Sequence, residues 1–167
     1  MSRLKGCLPV FAAWVLLAIT PAGAQETVNY SGAWILDMNK SALEGRAARM
    51  LGLEMVIIQS GEELKIEYNF PVHNYSDKVS MTIGGEPVSR RSGGRRGGSK
   101  MRSQWSGDKK NLLFISESTF TRGDSTYTFK QTETLSLSPD KNTLIIKRES
   151  NSSRFSENSE LVFDRKK

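Results

Sequence analysis

Apolar residues recur at every second position through most of this chain. Leu64, Ile66, Tyr68 and Phe70 alternate with Lys65, Glu67 and Asn69. Val79, Met81 and Ile83 alternate with Ser80 and Thr82, and Tyr127 and Phe129 alternate with Thr126, Thr128 and Lys130. Leu161 and Phe163 close the chain in the same way. Period two sends successive side chains to opposite faces, so each run predicts a strand with one apolar face. Between the runs lie Ser60-Gly61-Glu62, Gly84-Gly85, Gly107-Asp108, Arg122-Gly123-Asp124 and Ser138-Pro139-Asp140-Lys141-Asn142. Gly and Asn accept the positive φ of tight hairpins, while Pro and Asp favour turn entry. These signals divide the chain into nine or ten strands.

One stretch reads differently. Ser41 to Leu53 carries Ala42, Leu43, Ala47, Ala48, Met50 and Leu51 at helical spacing, which predicts one short helix near the N-terminus. No later helix is available to carry a parallel crossover. Consecutive hairpins with one apolar face therefore predict an all-β domain, either a sandwich or an antiparallel up-and-down barrel of about 8–10 strands. Barrel closure is favoured because it removes exposed sheet edges.

The two ends of the chain differ in kind. Arg3 and Lys5 precede an apolar run from Leu8 to Ile19, and Ala22-Gly23-Ala24 follows as a small-residue cleavage site. This is the pattern of a secretory signal peptide, with residues 1–24 removed before Gln25. The run is short for a membrane span, so no transmembrane anchor is expected after cleavage. Residues 25–167 then form one domain, large enough to bury a core without covalent staples. The single cysteine, Cys7, leaves with the leader. A cysteine-free exported domain points to a periplasmic or secreted protein rather than a disulfide scaffold.

Charge is concentrated in one place. Without Arg3 and Lys5 the 24 basic residues become 22 against 18 acidic ones, a net of +4. Six of them (Arg90, Arg91, Arg95, Arg96, Lys100 and Arg102) fall between Val88 and Arg102, with no acidic residue among them; the rest of the mature chain is −2. A binder that uses its whole surface for polyanions would be basic throughout. The "RRSGGRRGG" tract at residues 90–98 reads as a solvated hairpin loop between a strand ending near Val88 and one starting near Lys100. It has no stacking aromatics, which single-strand binders use, and export separates it from RNA, so nucleic acid is not the expected partner. An anionic envelope surface such as lipopolysaccharide remains a partner the loop could contact.

Several phrases resemble a group of exported bacterial lipocalin-like proteins. Tyr30-Ser31-Gly32-Ala33-Trp34-Ile35-Leu36-Asp37-Met38-Asn39-Lys40-Ser41 is similar to that group's opening phrase, with the Gly-x-Trp of true lipocalins at Gly32-Ala33-Trp34. Ile83-Gly84-Gly85-Glu86, Trp105-Ser106-Gly107-Asp108 and Leu135-Ser136-Leu137-Ser138-Pro139-Asp140 resemble its later turns in the same order. Ala33 and Ile35 depart from it, standing where the group is more polar. The resemblance implies an up-and-down barrel whose interior can hold a small apolar ligand. It implies structural roles for Gly32, where the chain would bend, for Trp34, which would plug one barrel end, and for Trp105. It carries over no catalytic residue.

The residues themselves offer little for catalysis. His73 is the mature chain's only histidine and sits in Pro71-Val72-His73-Asn74-Tyr75, a turn context. Without cysteine or a second histidine, no zinc or copper site is expected, and no cofactor motif is present. Arg122-Gly123-Asp124-Ser125 reads as a hairpin turn. One polar pair stands out. In Tyr127–Leu137, Gln131 and Glu133 share the face of Phe129 and Leu135, so both are expected to point inward. A turn at Pro139–Asn142 sets Ser138 opposite Thr143, which brings Glu133 opposite Arg148. A buried charge needs a partner, so this register predicts an interior ion pair. The pair either fixes register or, with Gln131, anchors the polar end of a ligand. The function expected is non-catalytic binding of a small, partly apolar or amphipathic molecule. The alternative is an envelope interaction protein acting through its basic loop.

Overall fold

A computed structural model describes residues 27–43, 53–91, 97–122, 125–152 and 156–167. Ten strands follow in chain order: β1 (Gly32–Leu36), β2 (Glu54–Ser60), β3 (Glu63–Phe70), β4 (Tyr75–Thr82), β5 (Val88–Arg91), β6 (Gly97–Trp105), β7 (Leu112–Arg122), β8 (Ser125–Leu137), β9 (Thr143–Ser152) and β10 (Ser156–Arg165). They make one antiparallel sheet in the order β4-β3-β2-β1-β10-β9-β8-β7-β6-β5. Each strand except at the β4–β5 seam pairs with its sequence neighbour, and β1 pairs with β10, so the meander curls into a nearly closed barrel. At the seam Ile83 bridges Ser103, and Gly84 N–H donates to the Ser103 carbonyl at 2.7 Å.

Alternation places the apolar residues inside. Met55 and Ile57 of β2, Leu64 and Ile66 of β3, Val79 and Met81 of β4, and Leu135, Leu144, Ile146, Leu161 and Phe163 of β8–β10 are all buried in one cluster. This cluster fills one half of the barrel. The chain enters that closed end through Tyr30, which is fully buried. The Tyr30 hydroxyl donates to the Leu135 carbonyl at 2.8 Å, and its ring lies 6.3 Å from that of Trp105. Gln59 ties the same segment down: its side-chain oxygen accepts from Tyr30 N–H at 3.0 Å, and its amide donates to the Val28 carbonyl at 3.2 Å.

Two hairpins at the closed end use the same device. Ser106 and Ser138 each donate a hydroxyl to the aspartate two residues on, Asp108 and Asp140. Each serine oxygen also accepts a backbone N–H from five residues on, Asn111 at 3.0 Å and Thr143 at 2.9 Å. Those serine donors, with backbone N–H groups, hold both aspartate carboxyls below the usual range. Each turn then needs a left-handed residue, supplied by Lys109 and Lys141 at φ 55° and 58°.

Two expectations need correction or limitation. The helix predicted over Ser41–Leu53 falls largely on residues 44–52, outside the described ones, and its start is not helical. Ala42 instead exchanges two backbone hydrogen bonds with Glu160, both 2.8 Å. The arginine-glycine tract is not all loop, because Arg90 and Arg91 in β5 pair with Ser99 and Gly98 in β6. Backbone pairing overrides the poor strand preference of glycine here. Gly32, expected where the chain bends, also leaves room for a neighbour: a Cβ there would overlap the Arg165 guanidinium, which stacks 4.3 Å from the Trp34 ring centre. His73 sits in a short 3-10 turn, Pro71–His73, between β3 and β4. Arg122 pairs with Ser125 at a hairpin end, with Gly123 and Asp124 outside the described residues.

Candidate functional site

The inward positions change character along each long strand. In β7 they run Leu112, Phe114, Ser116, Ser118, and in β8, read from the closed end, Leu137, Leu135, Glu133, Gln131, Phe129. In β9 they run Leu144, Ile146, Arg148, Ser150. Large aliphatic groups thus fill one half, and small or polar groups line the other. Beyond Phe114 the side chains no longer meet across the barrel. A cavity of about 330 Å3 opens there, walled by Tyr68, Phe70, Tyr75 and Asp77 on one side of the seam. Ser99 and Met101 of β6 stand on the other side, and Phe114, Ser116, Ser118, Phe129, Gln131, Glu133 and Arg148 complete the wall.

The predicted interior residues meet in this wall. Glu133 stands opposite Arg148 in the β8–β9 ladder, the register that the four-residue turn dictates. Glu133 Oε1 accepts from Arg148 Nε at 2.8 Å and lies 2.6 Å from Arg148 Nη2. Gln131 Nε2 donates to the same oxygen at 3.0 Å. The two charged side chains are only 10% and 15% exposed, for Glu133 and Arg148 respectively. Two guanidinium nitrogens converging on one carboxylate oxygen fix the guanidinium plane, so the polar patch is rigid and aromatic on its flanks.

The other predicted residues lie elsewhere. Gly32, Trp34 and Trp105 build the closed end, where Trp34 is fully buried and donates its indole N–H to the Tyr30 carbonyl at 3.2 Å. Burial pushes the Tyr30 hydroxyl beside them up to about 12. Lys100 and Arg102 point outward from β6 beside Ile115, Glu117 and Thr119. Glu117 sits opposite Lys100 and 3.8 Å from Lys130, so this outer strip has mixed charge. Arg95 and Arg96 lie outside the described residues, and Arg90 and Arg91 are described here by backbone pairing alone.

Of the thirteen wall residues, sequence reasoning named three as site candidates: Gln131, Glu133 and Arg148. Ser116 and Ser118 carried the usable signal, because serine at inward positions of a long strand marks where packing stops. Asp77 and Tyr75 gave none: they reach the cavity only because β4 borders the seam.

The same architecture occurs in solved structures. Human cRBP IV matches over 83% of this chain and 99% of its own, at 17% identity and a TM-score of 0.52. A point mutant of the REP1-NXSQ fatty acid transporter matches over 81% and 97%, at 15% identity and a TM-score of 0.54. Zebrafish ileal bile acid-binding protein, complexed with cholic acid, matches over 82% and 98%, at 13% identity and a TM-score of 0.55. At these identities the likeness establishes a shared lipocalin-like barrel and nothing finer. No protein-family model and no curated protein sequence matches the chain.

Proposed function

We propose that this protein binds, without catalysis, a small and partly apolar molecule inside its barrel. The carrying observation is the cavity of about 330 Å3 in the open half, with five aromatic side chains and one buried polar cluster in its wall. That volume is at the lower end of small-molecule sites, and an apolar wall with a few convergent polar groups is their usual chemistry. Two structurally similar barrels support the reading, one a fatty acid transporter and the other a bile acid-binding protein. No described helix is long and apolar enough to cross a membrane. The leader pattern at residues 1–24 supports action in the periplasm or outside the cell, with Gln25 as the first mature residue. The mixed charge around Lys100 and Arg102 gives the anionic-surface alternative less support than the cavity gives this one.

Native mass spectrometry of protein recovered from its own cells tests the reading. The expected spectrum shows a fraction of molecules carrying one discrete small-molecule mass. Ser116→Trp, which fills the cavity from its wall, should remove that mass while leaving the fold intact. An adduct that survives in Ser116→Trp would place binding elsewhere and overturn the reading.

A further inference from the structure

Every polar contact of the Glu133 side chain falls on one oxygen. Oε1 receives Arg148 Nε, Arg148 Nη2 and Gln131 Nε2. Oε2 accepts from no protein group among the described residues, although the side chain is nine-tenths buried in the cavity wall. Oε2 is not sealed from solvent, so it stays open toward the cavity that Glu133 lines, and it can take a donor from there. We propose that Oε2 receives the ligand's polar head, and that this head is a hydrogen-bond donor, a hydroxyl or a protonated amine, rather than a carboxylate. The inference rests on the cavity reading above and narrows it to a ligand class.

Three features of the wall agree. Arg148, the cavity's guanidinium, is already committed to Glu133, so an incoming carboxylate would have to compete with two contacts at 2.8 and 2.6 Å. The same carboxylate would arrive beside the charges of Glu133 and Asp77, both in the wall. A further negative charge in that wall adds carboxylate to carboxylate, while the guanidinium there is already engaged. A hydroxyl meets neither obstacle: it donates to Oε2 and can accept from the hydroxyls of Ser116 or Ser118. A protonated amine donates to Oε2 as well, and Phe114 and Phe129 in the wall supply aromatic surface near it.

The test is a head-group comparison on the intact mature protein. Dodecanoic acid, dodecanol and dodecylamine are titrated below their aggregation limits at neutral pH, by calorimetry. The expected result is that the alcohol or the amine binds about tenfold or more tightly than the acid. Alcohol ahead of amine identifies a neutral donor, and the reverse identifies a charged one. An acid that binds as tightly as either overturns the head-group inference while leaving the cavity reading in place. Absence of binding by all three overturns both. Glu133→Gln provides an internal check, because it frees Arg148 from its counter-charge and should swing the preference toward the acid. A folded Glu133→Gln protein with an unchanged preference would refute the role of Oε2. Should that variant fail to fold, the wild-type comparison decides alone.

Discussion

Removing one member of the Glu133–Arg148 pair deprives the other of its counter-charge in a largely buried part of the cavity wall. Glu133→Leu removes the counter-charge of a guanidinium that is 15% exposed and also deprives Gln131 of its acceptor at 3.0 Å. Arg148→Met strands a carboxylate that is 10% exposed. Breaking a buried pair costs roughly 3–5 kcal/mol, and access from the cavity puts this one at the lower end, about 3 kcal/mol per single variant. With a urea m-value of about 2 kcal/mol/M for a chain of this size, each single change should lower the unfolding midpoint by about 1.5 M. The double variant leaves no charge unpaired and puts two apolar side chains against Phe129 and Phe114. It should cost about 2 kcal/mol, far short of the roughly 6 kcal/mol that additivity would give. Urea unfolding followed by tryptophan fluorescence measures all three, since Trp34 and Trp105 lie in the closed end. Single-variant costs below about 1 kcal/mol would equate the pair with surface ion pairs and refute its burial. An additive double variant would refute the coupling itself.

Two further outcomes follow from the closed end. Tyr30→Phe should cost about 1–2 kcal/mol at neutral pH, through the lost hydrogen bond to the Leu135 carbonyl. Burial raises the Tyr30 hydroxyl to about 12 from an unfolded value near 10, so its contribution of about 2–3 kcal/mol is complete below pH 10 and lost as pH rises to 12. The stability gap between wild type and Tyr30→Phe should therefore close and then reverse across that window in chemical unfolding, and a constant gap would contradict the burial. Lys141→Gly should raise the melting temperature by a few degrees, because a lysine at φ 58° carries about 1 kcal/mol of backbone strain that glycine avoids. A fall in melting temperature would show that the Lys141 side chain compensates the strain.

The strand alternation and the β8–β9 register were legible in the sequence for a local reason. A four-residue turn and a period of two leave only one pairing that keeps Leu135, Leu137, Leu144 and Ile146 on the same face, and Glu133 then meets Arg148. The strand segments at Arg90–Arg91 and Gly97–Gly98 were illegible because arginine and glycine carry no alternation, so the ladder itself decides. Tyr30 was unremarkable in the sequence. It lies before β1, and its partners Gln59 and Leu135 are 29 and 105 residues away. Hollow and solid halves also looked alike wherever aromatics line the wall, since Phe129 and Tyr68 alternate just as Leu64 and Ile66 do. Whether such side chains meet across a barrel depends on summed volumes over strands distant in the chain, and no single window contains that sum.

The pairing of β1 with β10 also governs how the chain can be assembled. Every other ladder joins strands adjacent in sequence and can form from contacts close along the chain. Trp34 meets Arg165 and Leu36 meets Phe163 only after the rest of the sheet has been traced out. During synthesis β1 therefore waits with an open edge, and the interior stays exposed along it until the ten residues of β10 arrive. A chain truncated before Ser156 would be left as two sheets, β4-β3-β2-β1 and β9-β8-β7-β6-β5, with their apolar faces uncovered and new free edges at β1 and β9 that could recruit other chains. The long-range β1–β10 closure should thus set the folding rate, as non-local pairings do in other β proteins. Until it forms, the chain holds no finished barrel.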